Sequence, residues 1–313
     1  MRPTYMQSRA ASKGQPTDSF EEHMALIPPF MMDCVVAIGF RDKGGKVGYA
    51  GTGFLHAQLI DATQPEKRYV TFLATNRHVL EGESTAVLRF NPTAPSPAKE
   101  YDVGLNDGQG KRVWEPHRDP DIDVAVMPVN PNVLTQEGIQ YAVFVSDQHL
   151  LTHLDAAQQG LSEGDGIFVL GFPLGNTGAE RNYVVIRQGC IARIRDSLAG
   201  AVKTFYIDAG VFPGNSGGPV ITRPEAMGIT GTKRIQRAAV IGMVSGYLPY
   251  QDVAVSQQTR RPRIIFEENT GLATVIPIDR VMEVCADVIS ARSGTGSAPA
   301  AGPQPPSGPS PTP

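Results

Sequence analysis

The feature that most constrains the fold of this 313-residue chain is a recurring pattern of short apolar runs. Two series of about six such runs, rich in β-branched and aromatic residues, lie between residues 34 and 129 and between 165 and 278. Gly, Pro, Asn and Asp clusters separate them, as is typical of strands joined by turns. The segment 130–163 mixes helical and irregular patterns. The chain is therefore predicted to be all-β, with two antiparallel barrels or sandwiches, because strands and helices do not alternate.

One amphipathic helix is predicted after the second series, in "PIDRVMEVCADVISAR". Asp279 is placed to cap its start, and its apolar stripe is expected to pack on the second barrel. The stripe consists of Ile278, Val281, Met282, Cys285, Val288 and Ile289.

The two ends of the chain differ in composition from the part between them. The first 25 residues are polar and aperiodic and are predicted to be poorly ordered. Residues 292–313 are rich in proline and predict a disordered tail or a linker to another domain. The expected organisation is one domain over 26–290, made of a first barrel at about 30–129, a connector at 130–163, a second barrel at 164–277 and a helix at 278–291.

Composition argues against several classes of protein. The formal net charge of -3 gives no field that would attract nucleic acid or an anionic membrane. No apolar run approaches the roughly 20 residues of a membrane span, and the amino end lacks the apolar core of a signal peptide. Neither a nucleic acid nor a membrane is an expected partner.

The three cysteines are Cys34, Cys190 and Cys285, an odd and widely spaced set. A disulfide framework uses an even number, and a zinc site places its ligands in close pairs. We expect buried free thiols, which favours the cytoplasm and leaves export open.

The segment "GVFPGNSGGPV", residues 210–220, places four glycines and two prolines around Ser216. Glycine serves where the backbone must turn tightly or let a ligand come close. The same residue types also form ordinary surface turns. The segment alone is compatible with a nucleophilic serine and with a turn.

The order of residues along the chain narrows the choice. An α/β-hydrolase places its histidine after the serine, and all six histidines here precede Ser216. The order that remains is His, Asp, Ser, which occurs on double β-barrels. His78 in "FLATNRHVL" follows an apolar strand run, and Asp123 in "DPDIDVAVMPV" leads into another, with Asp121 as the fallback.

Metal sites fit the sequence poorly. Val124 stands where a calcium loop with Asp119, Asp121 and Asp123 would need glycine. His149 and His153 have no third ligand in zinc-protease spacing. No metal and no cofactor are expected.

Three segments together, "TNRHV", "DVAV" and "PGNSGGPV", resemble the signatures of the trypsin-like (chymotrypsin-fold) serine proteases, and specifically the bacterial HtrA/Deg branch. "GTGF", "VLGFPLG" and "VIPIDRV" are similar to further landmarks of that family. The resemblance covers about residues 30–290. It implies two six-stranded barrels with the site in the cleft between them. The HtrA branch usually continues into PDZ domains, and none is expected here, where the Pro-rich tail follows.

The resemblance implies a role for each matching residue. Ser216 would be the nucleophile, His78 the base and Asp123 its orienting group, with the N–H groups of Gly214 and Ser216 forming the oxyanion hole. The base of the S1 pocket, which receives the substrate residue before the scissile bond (P1), would be Gly210. The pocket wall would be Ser245, Gly246 and Tyr247.

Two departures from the family pattern have consequences. Val79 stands where secreted trypsins have a cysteine, so no disulfide closes that loop. Asn215 replaces the aspartate that pairs with a freshly cut amino terminus, so no trypsin-style cleavage is expected to activate the chain. The pocket segments offer neither a carboxylate nor a histidine, and a small or apolar P1 residue is therefore expected.

Two functions follow from this reading. The first is a serine endopeptidase that acts on proteins or peptides. The second is a latent or inactive protease fold that binds without cutting until an activating partner protein orders its oxyanion loop. The oligomeric state does not follow from the sequence.

Overall fold

The structure of the chain is a computed structural model that describes residues 27–63, 66–225, 230, 231, 233 and 235–294. The segment predicted to be poorly ordered, 1–25, lies outside these residues. So does the Pro-rich tail, apart from the three residues 292–294 that end a helix.

The amino-terminal half is an antiparallel sheet of eight strands in the order β5-β4-β1-β2-β3-β7-β6, with β8 parallel to β2. Two short helices accompany it, α1 (Phe30–Asp33) and α2 (Arg77–Leu80). The strands are β1 (Val35–Arg41), β2 (Val47–Asp61), β3 (Arg68–Thr75), β4 (Thr85–Phe90), β5 (Lys99–Gly104), β6 (Glu115–Pro116), β7 (Ala125–Val129) and β8 (Phe144–Val145).

The carboxy-terminal half is a closed barrel of six strands in the order β10-β11-β14-β13-β12-β9. Its strands are β9 (Gly166–Gly171), β10 (Val185–Arg193), β11 (Phe205–Asp208), β12 (Pro219–Thr222), β13 (Val240–Val255) and β14 (Pro262–Pro277). The connector between the halves carries α3 (Pro131–Gln136), α4 (Ser146–His149) and α5 (His153–Gln159). A 3-10 turn (Pro173–Gly175) follows β9, and α6 (Arg195–Leu198) follows β10.

This architecture confirms the predicted all-β class with a six-stranded barrel and a carboxy-terminal helix. The first half, predicted as another six-stranded barrel, is a sheet of eight strands. Most predicted runs became strands because their apolar residues form the interiors of the two halves. The short or polar strands β5, β6 and β8 carry little of that signal and were not predicted.

Strands β13 and β14 are each 16 residues long and extend past the barrel as a hairpin arm. The predicted runs ended near 247 and began near 272, because the arm between them lacks an apolar pattern with one buried face. The basic run "RRPR" lies at the tip of the arm and the start of β14. Along the arm, Asp252 pairs with Phe266 and Val253 with Ile265.

The last helix, α7 (Ile278–Gly294), buries four residues of the predicted stripe, whereas Met282 and Ile289 are partly buried. Its partners correct the prediction, because it packs in a core shared by both halves, against Phe72 and Val126 of the first sheet as well as Met243 of the barrel. Asp279 does not cap the helix start with its side chain. Its carboxylate accepts a hydrogen bond from the backbone N–H of His153.

The three cysteines are free thiols. Cys34 and Cys285 are buried as expected, whereas Cys190 is half-buried in β10. Among the helices that the structure describes, none has the length and apolar character needed to cross a membrane.

Because α7 packs in a core shared by both halves, its buried residues are expected to contribute to the stability of the whole domain. Val281 is fully buried, and Val281→Ala is expected to lower the free energy of unfolding by about 2 kcal/mol, since it leaves a cavity. Ser290→Ala, on the exposed face of the same helix, is expected to stay within about 0.5 kcal/mol. Denaturant unfolding of the two variants checks this, and equal losses would contradict the packing.

Candidate functional site

His78 lies in α2, directly after the buried end of β3. Asn76, fully buried, ends the strand run, and its side-chain nitrogen donates to the backbone oxygen of Asp123 at 2.7 Å. That contact joins the segment that carries His78 to the segment that leads into β7. His78 and Asp123 are therefore brought together because each lies at the end of one of two neighbouring strands, β3 and β7.

The His78 and Asp123 side chains meet directly. The ring Nδ1 of His78 lies 2.5 Å from Asp123 Oδ2, and the backbone N–H of His78 donates to Oδ1 at 2.9 Å. An ionised carboxylate only accepts hydrogen bonds, so Nδ1 carries the proton and Nε2 is left as a base. Half of the His78 side chain is exposed, against 21% of Asp123. The ring is thus held from the buried side and reachable from the other.

The pKa of Asp123 is lowered from its usual value. Burial opposes ionisation of this carboxyl group, and the hydrogen bonds from the ring and the backbone N–H of His78 outweigh that penalty. Asp123 therefore remains a carboxylate at neutral pH, as an orienting group requires.

The fallback residue Asp121 does not reach His78. It is exposed and forms an ion pair with Lys203 at 2.9 Å, and Asp119 pairs with the same amine at 2.7 Å. The other described histidines bind backbone or side-chain groups elsewhere in the fold; they are His56, His117, His149 and His153. His23 lies outside the described residues. In the ranges that the structure describes, no three His, Cys, Asp or Glu side chains are grouped to hold a metal ion.

Ser216 lies on the barrel side, in the turn before β12. Its hydroxyl donates to the backbone oxygen of Ser245 at 3.3 Å, and the Ser245 hydroxyl lies 3.4 Å from Asp123 Oδ2. Ser245, predicted only as part of a pocket wall, thus links the nucleophile candidate to the His78–Asp123 pair.

Glycine is required on both sides of Ser216. Gly214 has φ +96° and Gly217 has φ +86°, which side chains rarely tolerate. A Cβ at Gly214 would collide with the backbone oxygen of Phe172, and one at Gly217 with that of Thr52. The two glycines therefore let the turn pack closely against the backbone of both halves, at Thr52 of the first sheet and Phe172 after β9.

The N–H groups of Gly214 and Ser216 donate no hydrogen bond to any residue that the structure describes. The carbonyl of Pro213 accepts from the N–H of Leu174 at 2.6 Å. Because the N–H and C=O of a trans peptide point in opposite directions, this bond aims the N–H of Gly214 away from Leu174. Two partnerless donors next to a serine hydroxyl form an arrangement that can bind a developing oxyanion.

Thr52 was not predicted to have a role, although its "GTGF" motif was noticed. It is fully buried in β2, and its N–H donates to the backbone oxygen of Ser216 at 2.8 Å. Its hydroxyl donates to the carbonyl of Gly214 at 2.6 Å and accepts from the N–H of Phe172 at 3.1 Å. One residue of the first sheet thus holds the Ser216 turn at two points.

Asn215 is fully buried, and its side-chain oxygen accepts from the N–H of Phe212 at 3.1 Å. This contact closes the loop before Ser216 from within.

The predicted pocket residues fall in two segments. Gly210 lies in the loop between β11 and β12, and Ser245, Gly246 and Tyr247 lie in β13, where that strand has passed its pairing with β12. Asn269 of β14, which was not predicted, donates to the carbonyl of Val211 at 2.6 Å and ties the hairpin arm to this loop.

Comparison with known proteins bears on the same region. Residues 51–227 match the family described as the trypsin-like peptidase domain. The fold is similar to solved structures of Rv3671c from M. tuberculosis H37Rv: an inactive serine-to-alanine mutant at 18% identity and TM-score 0.41, covering 85% of this chain and 92% of that one. A second structure, the Rv3671c protease in an inactive form, gives 17% identity, TM-score 0.40, and 82% and 90% coverage. No curated protein matches the sequence.

The position of Thr52 predicts that its hydroxyl positions the Ser216 turn. Thr52→Val leaves the carbonyl of Gly214 and the N–H of Phe172 buried without this partner, at a cost of about 1–3 kcal/mol. The misplaced turn should also slow covalent labelling of Ser216 by a fluorophosphonate about tenfold to hundredfold. Thr52→Ser keeps the hydroxyl and should keep most of the labelling rate. Equal labelling rates for the Val and Ser variants would remove this role.

The lowered pKa of Asp123 predicts a pH-dependent contribution to stability. A carboxyl group whose pKa is lower in the folded state stabilises the protein above its unfolded value of about 4, and this stabilisation is lost as pH falls through the folded value. The difference in free energy of unfolding between the wild type and Asp123→Asn should therefore shrink below about pH 4. Asp121→Asn, which removes an exposed carboxylate, should change the curve little. A constant difference for Asp123→Asn down to pH 2 would contradict the assignment.

Proposed function

The chain belongs to the trypsin-like peptidase domain family, and on this premise we propose that it is a serine endopeptidase using His78, Asp123 and Ser216. The observation that carries the proposal is the 2.5 Å contact between His78 and Asp123 on one half, together with Ser216 on the other half, where the N–H groups of Gly214 and Ser216 have no acceptor among the described residues. Residues 26–290 would form one catalytic domain that includes both halves and α7.

The first step would be acylation. Ser216 Oγ attacks the carbonyl carbon of the scissile bond while His78 Nε2 takes its proton. Asp123 holds the Nδ1–H of the ring and stabilises the imidazolium that forms. The carbonyl oxygen becomes an oxyanion that accepts hydrogen bonds from the N–H groups of Gly214 and Ser216, each worth about 10²–10³ in rate.

The intermediate then collapses. His78 gives the proton to the leaving amine, the C–N bond breaks, and the carbonyl carbon stays bound to Ser216 as an ester. Water attacks this ester with His78 again as base, and release of the acid restores the serine. In this structure the Ser216 hydroxyl bonds to Ser245, so it must turn toward Nε2 before attack. Catalytic hydrogen bonds commonly tighten only when substrate binds.

That same contact favours a second candidate function. A hydroxyl engaged by a backbone carbonyl is the form expected of a latent site, in which the fold binds a partner without cutting. An activating partner or substrate would then reorient Ser216 and complete the oxyanion loop. The open N–H groups of Gly214 and Ser216 argue for the active enzyme, since a collapsed hole would occupy them.

The sequence predicts a small or apolar P1 residue because the pocket segments 210 and 245–247 carry no charged side chain. Arg187 of β10, which lies outside those segments, contacts Gly210 and supplies such a group.

The proposal is tested by reaction with a fluorophosphonate probe, which needs no known substrate. We expect stoichiometric labelling of Ser216, mapped by mass spectrometry, that Ser216→Ala and His78→Ala abolish. Asp123→Asn should slow the reaction steeply, since loss of the orienting carboxylate lowers kcat about 10⁴-fold in the known triads. Ser290→Ala and Asp121→Asn serve as matched controls and should label like the wild type. A folded wild type that never labels would contradict the enzyme and favour the latent form.

A further inference from the structure

The guanidinium of Arg187 lies directly against Gly210, the residue predicted to form the base of the S1 pocket. A Cβ built on Gly210 would collide with Nη2 of Arg187 and would lie 2.8 Å from both its Cζ and its Nε. The guanidinium of Arg187 therefore occupies the place to which a side chain at position 210 would point. Only glycine leaves room for it.

Arg187 reaches this place from β10, where it pairs with Val169 of β9. Its guanidinium carbon lies 5.3 Å from the centre of the Phe212 ring, a cation–π contact. Phe212 is in turn fixed by the bond from its N–H to Asn215. The charged group is thus held by the loop that leads to Ser216, with a defined position relative to the nucleophile.

No residue in the described part of the chain neutralises this charge. Arg187 is half-buried, yet it forms no hydrogen bond and no ion pair there. By contrast, Arg193, on the same strand, is paired with Asp196 at 2.5 Å. A partly desolvated guanidinium carries a fork of N–H donors that a carboxylate complements with two parallel hydrogen bonds.

We propose that Arg187 makes the S1 pocket selective for an acidic side chain, so that the enzyme cuts after Asp or Glu. The inference rests on the proposed function, because it gives that site its substrate class. A carboxylate at P1 would pair with the guanidinium, a basic residue would be repelled by it, and an apolar residue would leave it buried without a partner. Arg187 replaces the small or apolar preference that the sequence suggested.

Selectivity is measured with a peptide library and then with matched peptides that differ only in Glu or Gln at P1. The wild type is expected to cut after Glu and Asp. Arg187→Ala should lower kcat/KM for the Glu peptide by about tenfold to hundredfold, the range for a hydrogen bond to a charged group. The Gln peptide should change little. Arg187→Lys should keep part of the preference, and Arg193→Ala, on the same strand, should keep all of it.

Fluorophosphonate labelling separates failure of this inference from failure of the proposed function. A wild type that labels at Ser216 but cuts mainly after small, apolar or basic residues would overturn the acidic pocket and leave the protease intact. A wild type that does not label would overturn the proposed function.

If the wild type does not label, the acidic pocket is tested by binding alone. The affinity of the Ser216→Ala variant is measured for two fluorescent peptides, one ending in Glu and one ending in Gln. Tighter binding of the Glu peptide, lost in the double variant Ser216→Ala and Arg187→Ala, supports the charge assignment. Equal binding of the two peptides contradicts it. If Arg187→Ala does not fold, two measurements replace it: the ratio of the affinities for the Glu and Gln peptides with arginine at position 187, and the same ratio in Arg187→Lys. Equal affinities for the two peptides would again contradict the charge assignment.

Discussion

The site depends on the hydrogen bonds of Thr52, because they join two halves that carry different parts of the chemistry. His78 and Asp123, the proposed base and its orienting carboxylate, lie on the side of the first sheet, and Ser216, the proposed nucleophile, lies on the barrel side. Thr52, in the first sheet, binds the backbone on both sides of the nucleophile, at Gly214 and Ser216. These contacts are buried, where an unmade hydrogen bond is expensive. The two halves therefore meet in one arrangement.

A second set of constraints acts within the Ser216 turn. Gly214 and Gly217 have positive φ angles and lie too close to neighbouring backbone for any side chain to fit. Asn215 closes the loop by accepting a hydrogen bond from the N–H of Phe212. Leu174 has φ 56°, a left-handed conformation that costs about 1–3 kcal/mol in a non-glycine residue. In this conformation its N–H donates to the carbonyl of Pro213. Strain and lost chain entropy are offset by the surrounding core. Among the described residues, the N–H groups of Gly214 and Ser216 are left without an acceptor, as the proposed oxyanion hole requires.

Much of this was predictable from sequence, for physical reasons. Most strands were predictable because each of them is a local run of apolar residues in the sequence. The segments of His78, Asp123 and Ser216 were predictable because each is a local motif next to such a run. The residues that were missed act across the fold. Thr52 and Arg187 look like ordinary strand residues, and their roles depend on which neighbour the topology brings to them. The hairpin arm was missed because it has no buried face to impose an apolar pattern.

We propose that the loop around Ser216 is ready to hold a tetrahedral oxyanion. The most direct test is a crystal structure of the protein after reaction with a peptide boronic acid, a mimic of that intermediate. We predict a bond from boron to Ser216 Oγ and one boronate oxygen about 2.7–3.1 Å from the N–H nitrogens of Gly214 and Ser216. A boronate bound to Ser216 with its oxygens turned away from both groups, or no adduct in a folded protein, would contradict a preformed oxyanion hole.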